Sequence, residues 1–61
     1  MEEWRRLSER EQEAAIEEAA QWARENGRDD SSIRSAARQF CGDDSAKIVE
    51  AIRTKIRDLL S

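Results

Sequence analysis

The chain has 61 residues, no histidine, one cysteine, 41% charged residues and a net charge of −3. This length predicts one domain, residues 1–61, with a small core. The composition excludes an internal disulfide and histidine chemistry, so we expect no enzyme, no cofactor and no metal site. We see no apolar run long enough to span a membrane and no signal peptide, so we expect a soluble, cytoplasmic monomer.

Two glycines, each followed by acidic residues, divide the chain into three predicted helices. Gly27 and Gly42 suit the left-handed conformation that ends a helix, and the Asp and Ser residues after each suit the start of the next. Ser8 and Glu11 have the spacing of a capping box in the first helix. We predict an all-α fold, a compact three-helix bundle, with helices over about residues 8–26, 31–41 and 45–60.

Each predicted helix has an apolar stripe at helical spacing. The residues expected in the core are Ala15, Ile16, Ala19, Trp22, Ala23, Ile33, Ala36, Ala37, Phe40, Cys41, Ile48, Val49, Ile52, Ile56, Leu59 and Leu60. Cys41 is expected to be buried and inert, with an intermolecular disulfide as the alternative. Trp4 and Leu7 either extend the first helix or fold back over it, and together with Met1 they are a candidate patch for a protein partner.

Charge is distributed unevenly along the chain. Residues 8–27 contain six glutamates against two arginines, whereas residues 45–61 contain four basic residues against two acidic ones. We interpret this as two solvated faces that attract one another within the bundle.

The lengths of the predicted helices, and the tight turn before the third, resemble the homeodomain-like and Myb-like tri-helical family. The opening Leu7-Ser8-Glu9 is similar to the start of that family, and residues 36–45 resemble its helix-turn-helix junction. The sequence departs from the family because its third helix lacks the aromatic core residue and the base-contacting asparagine. Arg38 also stands where a small residue is expected, and Asp43 stands where an apolar one is expected.

The resemblance implies that the third helix would lie in the major groove of DNA. The implied DNA-binding residues are Arg34, Arg38, Lys47, Arg53, Thr54, Lys55 and Arg57. The same face of the third helix also carries Glu50 and Asp58, whose carboxylates would oppose phosphate. DNA binding is therefore an alternative to the favoured interpretation.

The composition favours a designed or redesigned origin. Alanine, glutamate and arginine occur nine times each, histidine, tyrosine and proline are absent, and both glycines fall at predicted helix ends. Helix propensity, capping and apolar pattern therefore agree with one another, as design practice intends. The lone cysteine favours a natural ancestor. We predict a scaffold whose role is to fold, without catalytic or evolved activity. The alternatives are a helix-turn-helix DNA-binding domain and a small protein-binding module.

Overall fold

The computed structural model describes the backbone of residues 2–60 and the side chains of residues 4–60. Over this range the chain forms no strand and four α-helices: α1 (Glu2–Arg6), α2 (Glu9–Glu25), α3 (Asp30–Ala36) and α4 (Ala46–Leu60). A π-helical segment, Ala37–Cys41, continues directly from α3. The all-α prediction is confirmed. The three predicted helices correspond to α2, to α3 with its π-helical segment, and to α4, whereas α1 is additional.

The short helix α1 folds back on α2 instead of extending it. The backbone carbonyl of Trp4 accepts hydrogen bonds from the Leu7 N–H at 3.3 Å and from Gln12 Nε2 at 2.7 Å. The Trp4 side chain is half-buried against the core, and Leu7 is half-buried at the bend. A five-residue helix is unstable alone, so these contacts hold α1 in place. Met1 lies outside the described residues.

Both ends of α2 are closed by local hydrogen bonds. Ser8 Oγ accepts the Glu11 N–H at 3.2 Å, and Glu11 Oε1 accepts the Ser8 N–H at 3.0 Å, which confirms the predicted capping box. At the other end, the Arg28 N–H donates to the Ala23 carbonyl at 2.9 Å, as in a Schellman motif. Gly27 (φ 119°) and Arg28 (φ 63°) both have positive φ. The sequence predicted a positive φ at Gly27, but not at Arg28.

The start of α3 differs by one residue from the prediction. Asp29 is its N-cap, because Asp29 Oδ1 accepts the Ser32 N–H at 2.9 Å. This hydrogen bond is the largest of the influences that hold the pKa of the Asp29 carboxyl below its usual value. Ser32 Oγ donates to the Asn26 carbonyl at 2.6 Å and ties the loop to the end of α2.

The second predicted helix changes geometry at Ala37. A π-helical turn contains more residues than an α-helical turn, so the residues after Ala36 are rotated relative to an unbroken helix. Phe40, predicted on the buried face, is only half-buried, whereas Ala37 and Cys41 are buried. Gly42 (φ 75°) then ends the segment in the left-handed conformation, as predicted.

The core lies between α2, α3 with its π-helical segment, and α4, and all of its buried side chains are apolar among the residues described. Ile52 is the largest side chain that is fully buried. The fully buried residues of α2 are Ala19, Ala20 and Ala23, so the other helices pack closely against it. The prediction for Leu60 was wrong: it is 52% exposed, because it ends α4 beyond the packed helices.

The bundle has a Cα radius of gyration of 10.3 Å, close to the value of about 10.5 Å expected for a compact domain of this length. None of the helices formed by residues 2–60 combines the length and the apolar character needed to cross a bilayer.

Candidate functional site

The basic residues of the candidate DNA-binding surface lie on α3, its π-helical segment and α4. Gly42 and residues 43–45 connect these elements, and a connection of four residues that contains glycine is typical of a helix-turn-helix. Of the seven candidates, Lys55 is half-buried and the other six are exposed. The structure therefore places all seven where solvent reaches them.

The structure divides five of these seven candidates between two grooves on either side of α4. The first groove lies between α3 and α4 and is lined by Arg34, Asp44, Ala46, Val49, Glu50 and Arg53. Arg34 also lines a neighbouring depression with Arg38, Asp30 and Ser31. Arginines and carboxylates alternate along this side of the molecule.

The second groove lies between α4 and α2. It is lined by Ile16, Lys47, Glu50, Ala51, Thr54, Lys55 and Asp58. Glu50 lines both grooves, so a carboxylate occupies the middle of the outer face of α4. Arg38 and Arg57 line neither groove. The seven candidates therefore do not form one continuous basic surface.

The candidate arginines Arg53 and Arg38 each make an ion pair within the protein. Arg53 Nη2 contacts Asp30 Oδ1, and Arg53 Nη1 lies 4.0 Å from Glu50 Oε2. Arg38 Nη1 lies 3.2 Å from Asp44 Oδ2, so the π-helical segment is joined to the turn that follows it. In these contacts, carboxylates of the protein neutralise positive charges that would otherwise be available to bind the phosphates of DNA.

These ion pairs also differ from the predicted attraction between two charged faces. They connect α3, its π-helical segment, the turn and α4, whereas the glutamates expected to attract α4 lie on α2. The sequence pattern could not reveal Asp30 as the partner of Arg53, because the two residues are 23 positions apart. Likewise, the sequence around Asp44 predicts only the start of a helix, and it gives no sign of the contact between Asp44 and Arg38.

A third groove lies beside α1 and is lined by Trp4, Arg5, Gln12, Asp43, Ser45, Ala46, Lys47 and Ile48. Trp4 packs against the core on one side and lines this groove on the other. Of the predicted patch, Leu7 is also half-buried, and Met1 lies outside the described residues.

Cys41 is buried, as expected, at 5% exposure. Burial, and secondarily the negative charge of Asp43, raise the pKa of the Cys41 thiol to about 11. The thiolate is the nucleophilic form, so Cys41 is a protonated and weakly reactive thiol at neutral pH.

Among the side chains that the structure describes, no cluster of His, Cys, Asp or Glu has the arrangement of a metal site.

No protein-family model matches the chain, and neither a curated protein nor a solved structure is similar enough to count as a match. The homeodomain-like resemblance and the designed origin therefore stay predictions from the sequence.

Proposed function

We propose that the protein is a non-catalytic helical scaffold, designed or redesigned in sequence, whose surface charges join its own helices to one another. The ion pair between Arg53 on α4 and Asp30 at the start of α3 carries this proposal. Arg53 is one of the side chains that the helix-turn-helix resemblance assigns to DNA binding, and its guanidinium instead connects two helices. In the same way, the ion pair between Arg38 and Asp44 connects the π-helical segment to the turn that follows it.

The helix ends support the same proposal. The capping box of Ser8 and Glu11 and the cap by Asp29 satisfy backbone groups that would otherwise be unpaired at helix starts. Sequence choices that serve local structure in this way are typical of a chain selected for folding.

Two backbone features favour redesign of an existing fold over design from nothing. Idealised backbones avoid positive φ at residues other than glycine and avoid irregular turns. Arg28 has φ 63°, and residues 37–41 form a π-helical turn. The buried thiol of Cys41 adds a third departure from idealised practice.

DNA binding through α4 is the second candidate function. The observation that favours it is the four-residue turn between the π-helical segment and α4, which leaves Lys47 and Thr54 exposed on the outer face of α4. Glu50 and Asp58 on the same face weaken it, because their carboxylates would repel phosphate. The scaffold therefore remains our conclusion.

An amide-proton NMR titration separates the two functions. The labelled protein is compared with and without a mixed-sequence DNA duplex at about 50 mM salt, where phosphate contacts are strong. We expect the spectrum to stay unchanged. Peak shifts at Arg34, Lys47 and Thr54 that reverse when salt is raised would instead establish DNA binding.

Two variants make this titration specific. Replacing both lysines, Lys47→Ala with Lys55→Ala, removes two of the charges of α4 that would contact DNA. Arg10→Ala removes an exposed charge from α2 on the acidic side of the molecule. If DNA-induced shifts occur and disappear only in the lysine variant, the scaffold proposal is overturned.

A further inference from the structure

Four residues form a straight seam along α4: Lys47, Ala51, Thr54 and Asp58. Their spacing of four, three and four residues is that of the a and d positions of a heptad. At 3.6 residues per turn, the four positions fall within about 60° of one another around the helix. They line the groove between α4 and α2, beside the half-buried side chain of Ile16.

The seam is complementary to itself when reversed. A twofold axis beside α4, midway between residues 52 and 53, places each seam residue opposite a seam residue of a second, antiparallel helix. Lys47 then faces Asp58 of the second copy, and Ala51 faces its Thr54. Two ion pairs therefore lie at the ends of the contact and small side chains lie at its centre, so the helices are able to approach closely. Such a contact is isologous, because both copies use the same surface.

A second observation on α4 supports this pairing. Lys47 is the second residue of α4, and Asp58 lies two residues before its end. The partial charges of a helix favour acids near its start and bases near its end, so both side chains oppose the dipole of their own helix. In an antiparallel dimer, Lys47 lies beside Asp58 and the negative end of the other helix dipole. Asp58 lies beside Lys47 and the positive end of that dipole.

We infer that the protein self-associates through α4, as an antiparallel twofold dimer in which Lys47 of each copy pairs with Asp58 of the other. This inference replaces the expected monomer and goes beyond the proposed scaffold role. Because the seam is short and its ion pairs are exposed to solvent, the association is weak and salt-dependent.

Carbodiimide crosslinking tests the register directly. This reagent joins a lysine amine to a carboxylate in contact with it, without a spacer. Within one chain, Lys47 and Asp58 are separated by about 16 Å along the helix, so a bond between them joins two copies. Equal amounts of unlabelled and 15N-labelled chains are crosslinked at low salt, and the mixed-label peptide is identified by mass spectrometry. We expect a Lys47–Asp58 bond between chains; its absence at high protein concentration overturns the inference.

Charge reversal supplies the matched variants. Lys47→Glu alone places two carboxylates opposite one another, and we expect at least a tenfold loss of dimer. Lys47→Glu combined with Asp58→Lys restores opposite charges across the axis and restores the dimer. Arg10→Glu, an exposed charge reversal on α2, leaves the dimer unchanged.

Sedimentation equilibrium measures the average mass of the same variants without a crosslinking reagent. The average mass of the wild type rises from the 7.1 kDa of one chain toward twice that value with concentration, and falls again in high salt. Circular dichroism establishes that each variant is helical. If the double variant is folded but stays monomeric while the wild type dimerises, the proposed register is wrong.

Discussion

Arg53 of α4 contacts Asp30 of α3 through a guanidinium–carboxylate pair that joins residues 23 positions apart. Both side chains are exposed, so solvent screens the contact and its contribution is about 0.2–1 kcal/mol. A double-mutant cycle with Arg53→Gln and Asp30→Asn, measured by urea unfolding, isolates this coupling. We expect the coupling to decrease as salt is added. A coupling that salt leaves unchanged would contradict an electrostatic origin.

The core prediction compares two residues of the same helix. Ile52 is fully buried, whereas Leu60 is 52% exposed. Ile52→Ala removes buried methyl groups and leaves a cavity, which costs about 2–5 kcal/mol. That loss approaches the whole stability of a domain of this size, about 3–5 kcal/mol. We expect Ile52→Ala to be largely unfolded by circular dichroism and Leu60→Ala to melt near the wild type. Equal melting temperatures for the two variants would refute this description of the core.

Asp29 makes the stability of the protein sensitive to acid. Its pKa is lowered in the folded protein, chiefly by the hydrogen bond from the Ser32 N–H. The carboxylate therefore stabilises the fold above the unfolded-state pKa of about 4, and this contribution is lost as pH falls through the lower folded-state pKa. Asp29→Asn keeps a good N-cap but does not titrate. We expect the wild type to lose more stability than this variant in thermal melts taken below pH about 4.

Cys41 has the opposite pH dependence. Its pKa rises from an ordinary 9.0 to about 11 in the folded protein. Because the unfolded chain loses the thiol proton first, the stabilisation is complete below the unfolded-state pKa and is lost as pH rises through the folded-state pKa. We expect Tm to fall more steeply between these two pKa values in the wild type than in Cys41→Ala. The two proteins differ only at residue 41, so parallel profiles would contradict a buried thiol.

Arg28 stores backbone strain at the end of α2. A residue other than glycine in the left-handed region costs about 1–2 kcal/mol, and Arg28 has φ 63°. Arg28→Gly relieves this cost, although glycine loses more entropy on folding. We expect a net gain of up to about 1 kcal/mol in chemical denaturation. Arg28→Ala keeps the strain and is expected to give no gain, so equal stabilities of the two variants would count against strain.

Sequence patterns predicted all four ends of α2 and α4 to within one residue, because both helices have local signals. The capping box at Ser8 is complete within four residues, and the apolar stripe of α4 has a clear helical period. The helix α1 has neither signal. It depends on the half-buried Trp4 and on Gln12 eight positions away, and such contacts arise only in the folded chain.

The candidate surface was predictable only in part, for the same reason. Exposure of Lys47 and Arg53 follows from helical periodicity, and both are exposed as predicted. The partner of Arg53 depends on how α3 crosses α4, which no local pattern encodes. The π-helical turn is a second example, since residues 37–41 carry no signal that separates them from an ordinary helix.

The chain has only two lysines, Lys47 and Lys55, and both line the groove between α4 and α2. Reagents that attack side-chain amines will therefore modify this one face. A sensor surface coupled through lysine would hold the protein by the groove between α4 and α2. Binding measured on such a surface would miss partners of α4, so immobilisation through an added terminal tag is the better choice.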